Sequence, residues 1–108
     1  MTNHKGIEIL ENTLDAKLLK TLETLAGVVE DEIQILDNGF KFTFERSLNA
    51  NQCMVVSYMD DVIVEFRKKT DNMLEGKMDK LVFEDVIKEA QFSDVFEKVT
   101  GIYLSYLD

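Results

Sequence analysis

Leucines recur at helical spacing near the start of the chain. Leu14, Leu18, Leu22 and Leu25 fall on one face, Leu19 widens the stripe, and Lys17, Lys20, Glu23 and Thr24 occupy the other face. The spacing predicts an amphipathic helix ended by Gly27, which tolerates the left-handed conformation that closes helices. Ile7 and Leu10 continue the spacing upstream, so the helix can begin near Ile7. Asn12 or Thr13 is available as a cap if it begins later, and Asp15 then brings a negative charge to the first turn.

After Gly27 the period changes from 3.6 to 2. Ile33 and Ile35 flank Gln34, and Phe40, Phe42 and Phe44 alternate with Lys41, Thr43 and Glu45. Asp37-Asn38-Gly39 lies between the two runs, and Asn-Gly is a strong hairpin signal because both residues accept positive φ. The three phenylalanines therefore share one side of a strand, and that side must be buried. A second hairpin is predicted from Gln52–Tyr58 and the run Val62, Ile63, Val64 and Phe66, joined at Met59-Asp60-Asp61. Residues 47–59 carry no charge, which places the strand 52–58 at the centre of the sheet. Residues 68–80 are polar and read as a loop or an extended hairpin tip.

From Leu81 a helical stripe returns through Val82, Phe83, Val86, Ile87 and Ala90. Lys80–Glu84 fits a fifth strand about as well, with Asp85 then capping a later helix. Ser93 is a candidate cap for a short helix carrying Val95, Phe96 and Val99 and closed by Gly101. The apolar tail, Ile102 to Leu107, is expected to pair with an edge or pack on the core. The expected fold is thus α+β: a four-stranded antiparallel meander of two hairpins, with an N-terminal helix and C-terminal helices packed on the phenylalanine face. At 108 residues this is one domain, 1–108.

Composition narrows the function classes. Twelve basic and 21 acidic residues give a net charge of −9, which excludes direct nucleic-acid binding driven by phosphate neutralisation. Hydrophobic residues make up 45%, too many for a disordered acidic tail, and no apolar run is long enough to cross a bilayer. The N-terminal residues show no apolar stretch after a basic start, so a cytoplasmic location is expected. Neither glycine-rich phosphate-binding motif occurs.

Candidate chemistry is sparse. Cys53 is the one cysteine and His4 the one histidine, too few for a disulfide, a zinc cage or an oriented Cys-His pair. Cys53, in an uncharged strand, reads as a small core residue, and His4 as an exposed residue near a chain end. Asp60-Asp61 at a turn reads as a solvated pair rather than a cation site, which needs six to eight oxygens. No catalytic residue, cofactor or metal is therefore assigned. Met54 and Met59 read as core filler, whereas Met73, Leu74 and Met78 are candidates for an adaptable partner surface. Glu84/Lys88 and Asp94/Lys98 have the spacing of helix-stabilising pairs.

Charge is unevenly spread. Residues 28–46 and residues 81–101 each carry a net −3, while 60–80 is nearly balanced. Eight of the ten acids in the two negative regions, Glu30, Asp31, Glu32, Asp37, Glu84, Asp85, Glu89 and Asp94, are the candidate partner-binding residues. The expected function is a non-catalytic, acidic protein-binding module that covers a basic site on a larger protein, with an apolar centre supplying affinity. Toxin-neutralising immunity proteins and phage-encoded inhibitors of nucleic-acid enzymes are similar in size and charge, a likeness of composition without a shared motif. Two alternatives stand beside it. One is a structural or regulatory homo-oligomer, at its simplest a homodimer, joined through the last strand, the tail or the 73–78 segment. The other is a small-ligand-binding domain with a pocket lined by Phe40, Phe42, Phe44 and Phe96.

Overall fold

The leucine stripe folds as two helices, not one. In the computed structural model, which describes residues 4–72, 74 and 76–104, α1 spans His4–Thr13 and α2 spans Ala16–Ala26. The break falls at Asp15, whose backbone is extended and whose carboxylate accepts the Leu18 N–H at 2.8 Å. Asp15 is therefore the cap of α2, in place of Asn12 or Thr13, because its short acceptor competes with helical continuation. Leu14 is buried at the joint, which keeps both helices on the same core. Gly27 ends α2 as expected, at φ 70°, with its N–H on the Leu22 carbonyl.

Five strands follow, one more than the sequence suggested: β1 (Gln34–Leu36), β2 (Gly39–Thr43), β3 (Gln52–Tyr58), β4 (Asp61–Asn72) and β5 (Gly76–Ile87). They form an antiparallel meander in the order β1-β2-β3-β4-β5, with β3 at the centre. A 3-10 turn, Glu30–Glu32, precedes β1. Another, Glu89–Gln91, leads into α3 (Phe92–Thr100), which Gly101 closes at φ 77°. Ser93 lies inside the first turn of α3 and does not cap it. The α3 N-cap position is Gln91, whose side chain serves the preceding 3-10 turn by accepting the Lys88 N–H at 2.9 Å.

Of the two readings open from Leu81, a helix or a fifth strand over Lys80–Glu84, the strand is the one that forms, and it runs further in both directions, Gly76–Ile87. Val62 pairs with Ile87, Ile63 with Val86 and Phe66 with Phe83, so the apolar stripe finds its partners across a ladder. The charged segment 68–80 completes a long hairpin whose outer part projects beyond the helices. Asp85 accordingly caps no helix, and Lys88 pairs with Asp61 rather than with Glu84.

The first hairpin has the expected position but a different cause. Leu36 faces Gly39, so Asp37-Asn38 is the two-residue connection, and neither has positive φ. Gly39 serves close approach instead: a Cβ there would sit 1.9 Å from the Val55 carbonyl oxygen. α1 crosses the same hairpin at Gly6, where a Cβ would meet the Leu36 oxygen at 2.0 Å.

Phe40, Phe42 and Phe44 are buried, with Val55, Val64 and Phe66 on neighbouring strands and Leu22, Phe92 and Phe96 from the helices. Ring follows ring: Phe40–Phe42 at 6.1 Å, Phe42–Phe44 at 6.0 Å and Phe44–Phe96 at 5.1 Å. These rings are the core of the domain rather than the lining of a pocket. Met59 is 87% exposed at the β3–β4 turn and is not core filler. Of the tail, Ile102 packs partly buried and Leu104 is buried. The remainder to Leu107, together with Met73 and the His4 side chain, lies outside the described residues.

Candidate functional site

The sheet order separates the acids singled out from sequence. Glu30, Asp31 and Glu32 are exposed on the turn before β1, and Asp37 is exposed at the β1–β2 connection. Glu84 and Asp85 are exposed on β5, the opposite edge of the sheet. Asp85 accepts the N–H of its neighbour Val86 at 2.8 Å. Asp94 lies apart, in the first turn of α3. One end of the sheet does gather charge. Glu89 follows β5 beside Asp60 and Asp61 of the β3–β4 turn, with Lys5 and Glu8 of α1 lining the same small cleft. Asp37 occupies the same end, since the Asn38 carbonyl accepts the Ser57 N–H at 2.8 Å.

Asp60-Asp61 is a structural pair in this arrangement. Lys88 Nζ lies 2.5 Å from Asp61 Oδ1. Its hydrogen bond to Asp61, helped by the charges of Asp61 and Asp60, raises the lysine above its ordinary pKa. Among the described residues, no group of three or more His, Cys, Asp and Glu side chains is placed to hold a metal ion. No described helix is long and apolar enough to cross a membrane.

The feature that sequence reading missed is the second face of the sheet. β3 is uncharged on both sides, which suggested burial on both. The helices cover only the side bearing Cys53, Val55, Val64 and Phe66. On the other side the register aligns Leu36 with Gly39, Gly39 with Val56, Val56 with Ile63 and Ile63 with Val86. An apolar row thus runs across all five strands, half-buried at Leu36, Val56 and Ile63 and 42% exposed at Val86. Tyr58, 45% exposed, stands on one flank and Met54 on the other.

The charges around this row are not evenly matched. Glu65 and Glu84 face each other across β4 and β5, a like-charge opposition that weakens a ladder. Arg67 answers Glu65 at 2.6 Å and Asp79 at 3.1 Å, and these hydrogen bonds hold its guanidinium more firmly protonated. Glu84, Asp37 and Asp60 have no ion-pair partner among the described residues.

Comparison with known proteins finds no matching family model, no matching curated protein and no matching solved structure. The site is therefore read from its own geometry alone.

Cys53 is fully buried on the helix-covered side, and burial, with the nearby Glu65 charge, pushes its thiol well above the ordinary cysteine range. It is a packing residue. Native protein at pH 8 is expected to resist a thiol reagent, with stoichiometric labelling only after denaturation; rapid labelling of folded protein would contradict this burial.

Proposed function

We propose that the protein is a non-catalytic binding module that covers a basic site on a larger protein through the open face of its sheet. The observation that carries this reading is the apolar row Leu36–Val56–Ile63–Val86, which no described helix covers, in a domain small enough that its hydrophobic residues are needed for the core. Half-exposed aliphatic and aromatic side chains at the centre, with polar groups at the rim, are the anatomy of a protein interface. The rim favours a cationic partner. Asp37 and Asp60 stand at one end, and Glu84 presents an unanswered carboxylate beside the row. A lysine or arginine placed beside Glu84 would give that carboxylate its counter-charge on binding.

Of the eight acids drawn from sequence, Asp37, Glu84 and Glu89 belong with this surface or its end. Glu30, Asp31, Glu32, Asp85 and Asp94 extend the negative field that steers a basic partner. The module holds its partner by contact and charge, and no catalytic role is assigned to any residue.

The test is affinity capture from the native source with wild-type protein, Ile63→Asp and Glu84→Lys, followed by binding measurements at low and high salt. One basic partner should be retained by the wild type and lost by both variants, with affinity falling steeply as salt rises. Retention by Ile63→Asp, or an affinity indifferent to salt, would remove the reading. Sedimentation of the isolated chain separates it from self-association. A monomer is expected, whereas a dimer dissociated by Ile63→Asp would assign the face to a second copy.

A further inference from the structure

On the helix-bearing side of the sheet, away from the open face, a groove of about 530 Å3 runs between α3, the residue 48–49 loop and the root of the β4–β5 hairpin. Its apolar lining includes Val82 and Phe83 of β5, Val99 of α3 and Leu48 of the 48–49 loop. Lys68 from β4, Lys80 from β5 and Lys98 from α3 complete it, and no acidic residue lines it. Three lysines lining one apolar cleft, two of them cross-strand neighbours (Lys68 and Lys80), are unexpected in a chain of net charge −9. Their neighbours on the hairpin, Arg67 and Lys69, are tied to carboxylates, Arg67 to Glu65 and Asp79 and Lys69 to Asp79. Lys68, Lys80 and Lys98 have no carboxylate partner among the described residues.

Two local features build the groove. The β4–β5 register slips between Phe66 and Arg67, pairing Phe66 with Phe83 but Arg67 with Leu81. Val82 is thus the extra residue of a bulge on the edge strand, and the slip opens the edge where the groove lies. The opposite wall is fixed to α3. Asn49 Nδ2 donates to the Val99 carbonyl at 3.1 Å, and Ser47 Oγ donates to the Thr100 carbonyl at 2.9 Å. Leu48, 95% exposed, projects beside the opening.

We propose that this groove is a binding site for a single-chain amphiphilic carboxylate, taken as a monomer. The carboxylate sits among Lys68, Lys80 and Lys98, and the hydrocarbon chain lies along Leu48, Val82, Phe83 and Val99. Lysine suits this role because its long stem extends the apolar wall while its ammonium supplies the charge. The size favours a small ligand over a protein: the volume falls within the roughly 300–1,000 Å3 of small-molecule pockets. A stable protein interface needs about 800 Å2 from each partner, more than four apolar side chains provide.

Calorimetric titration with decanoate, decanol and decyltrimethylammonium, each below its micelle concentration, tests the assignment on the intact chain. Decanoate should bind at one site, at least tenfold more tightly than decanol, and the cationic amphiphile should not bind. Lys80→Gln/Lys98→Gln should weaken decanoate at least tenfold while leaving decanol affinity unchanged. Val82→Glu, at a solvent-facing bulge, should abolish decanoate binding, and Lys20→Gln on α2 should have no effect. Unchanged circular dichroism keeps each variant informative. No decanoate binding to the wild type, equal affinity for decanol, or full affinity in the double lysine variant would each overturn the proposal. Lysines that only guard the strand edge against aggregation would leave decanoate binding intact when changed to glutamine.

Discussion

Phe66→Ala should bring the domain close to its folding limit. Phe66 is fully buried, with ring centroids 6.2 Å from Phe44, 6.3 Å from Phe83 and 5.8 Å from Phe96. It joins the central sheet to α3, so the cavity left by truncation is walled by strands and a helix that cannot both close on it. Phenylalanine-to-alanine changes at such sites cost about 3–5 kcal/mol, against a total stability of about 5–15 kcal/mol for a domain. Urea unfolding followed by circular dichroism should show a large fall in midpoint with little change in slope, and the melting temperature should drop by on the order of 15 °C or more. Phe83→Ala makes a useful contrast. Phe83 is half-buried at the edge strand and should cost distinctly less. Equal losses for the two variants would mean that Phe66 is not the pivot of the ring cluster.

The second large effect should come from one added methyl group. At an ordinary strand position, glycine to alanine is neutral or stabilising, by up to about 1 kcal/mol, because the unfolded chain loses freedom. At Gly39 the new Cβ would meet the Val55 oxygen at 1.9 Å and the Val56 Cα at 2.7 Å, both of them backbone atoms of β3. They cannot withdraw without breaking the β2–β3 register in which Gly39 faces Val56 and Phe40 faces Val55. Gly39→Ala should therefore destabilise by about 2–3 kcal/mol, with the sign of the change deciding the point. A variant as stable as the wild type would show that the first hairpin does not approach β3 as described.

Much of this fold was legible in the chain because single faces were legible. Phe40, Phe42 and Phe44 mark a buried side by alternation, and Gly27 and Gly101 end their helices where the periodicity stops. Leu81 to Ile87 was not legible by the same rule. Val82, Phe83, Val86 and Ile87 satisfy helical spacing, and only the presence of Val62, Ile63 and Phe66 on an adjacent strand decides for the sheet. Residues 68–80 read equally as a loop or an extended hairpin tip, and the hairpin is what forms; the strands were not legible because they extend past the core. With neither face buried, nothing selects alternation. The helix break at Asp15 was hidden because the leucine stripe runs through it without losing phase.

The candidate site was legible in its residue types but not in its grouping. Acidic side chains in 28–46 and 81–101 were evident from the sequence, yet β1 and β5 turn out to be opposite edges, a consequence of strand order that no local pattern carries. The apolar row was misread for a related reason. An uncharged strand such as Gln52–Tyr58 looks the same whether helices cover both of its faces or one. Val56 and Ile63 acquire meaning only when the register aligns them with Leu36 and Val86. The lysine-lined groove depends on a bulge and on α3 packing beside the hairpin root, features assembled from three separate stretches of chain.

Hydrogen exchange read by mass spectrometry, on the free chain and on its complex with the captured basic partner, addresses the open sheet face directly. Peptides covering residues 54–63 and 84–87 should gain protection in the complex, while those from α2 and α3 exchange as in the free protein. Protection confined to the helices, with the Val56–Ile63–Val86 row unchanged, would contradict the assignment of that face as the binding surface.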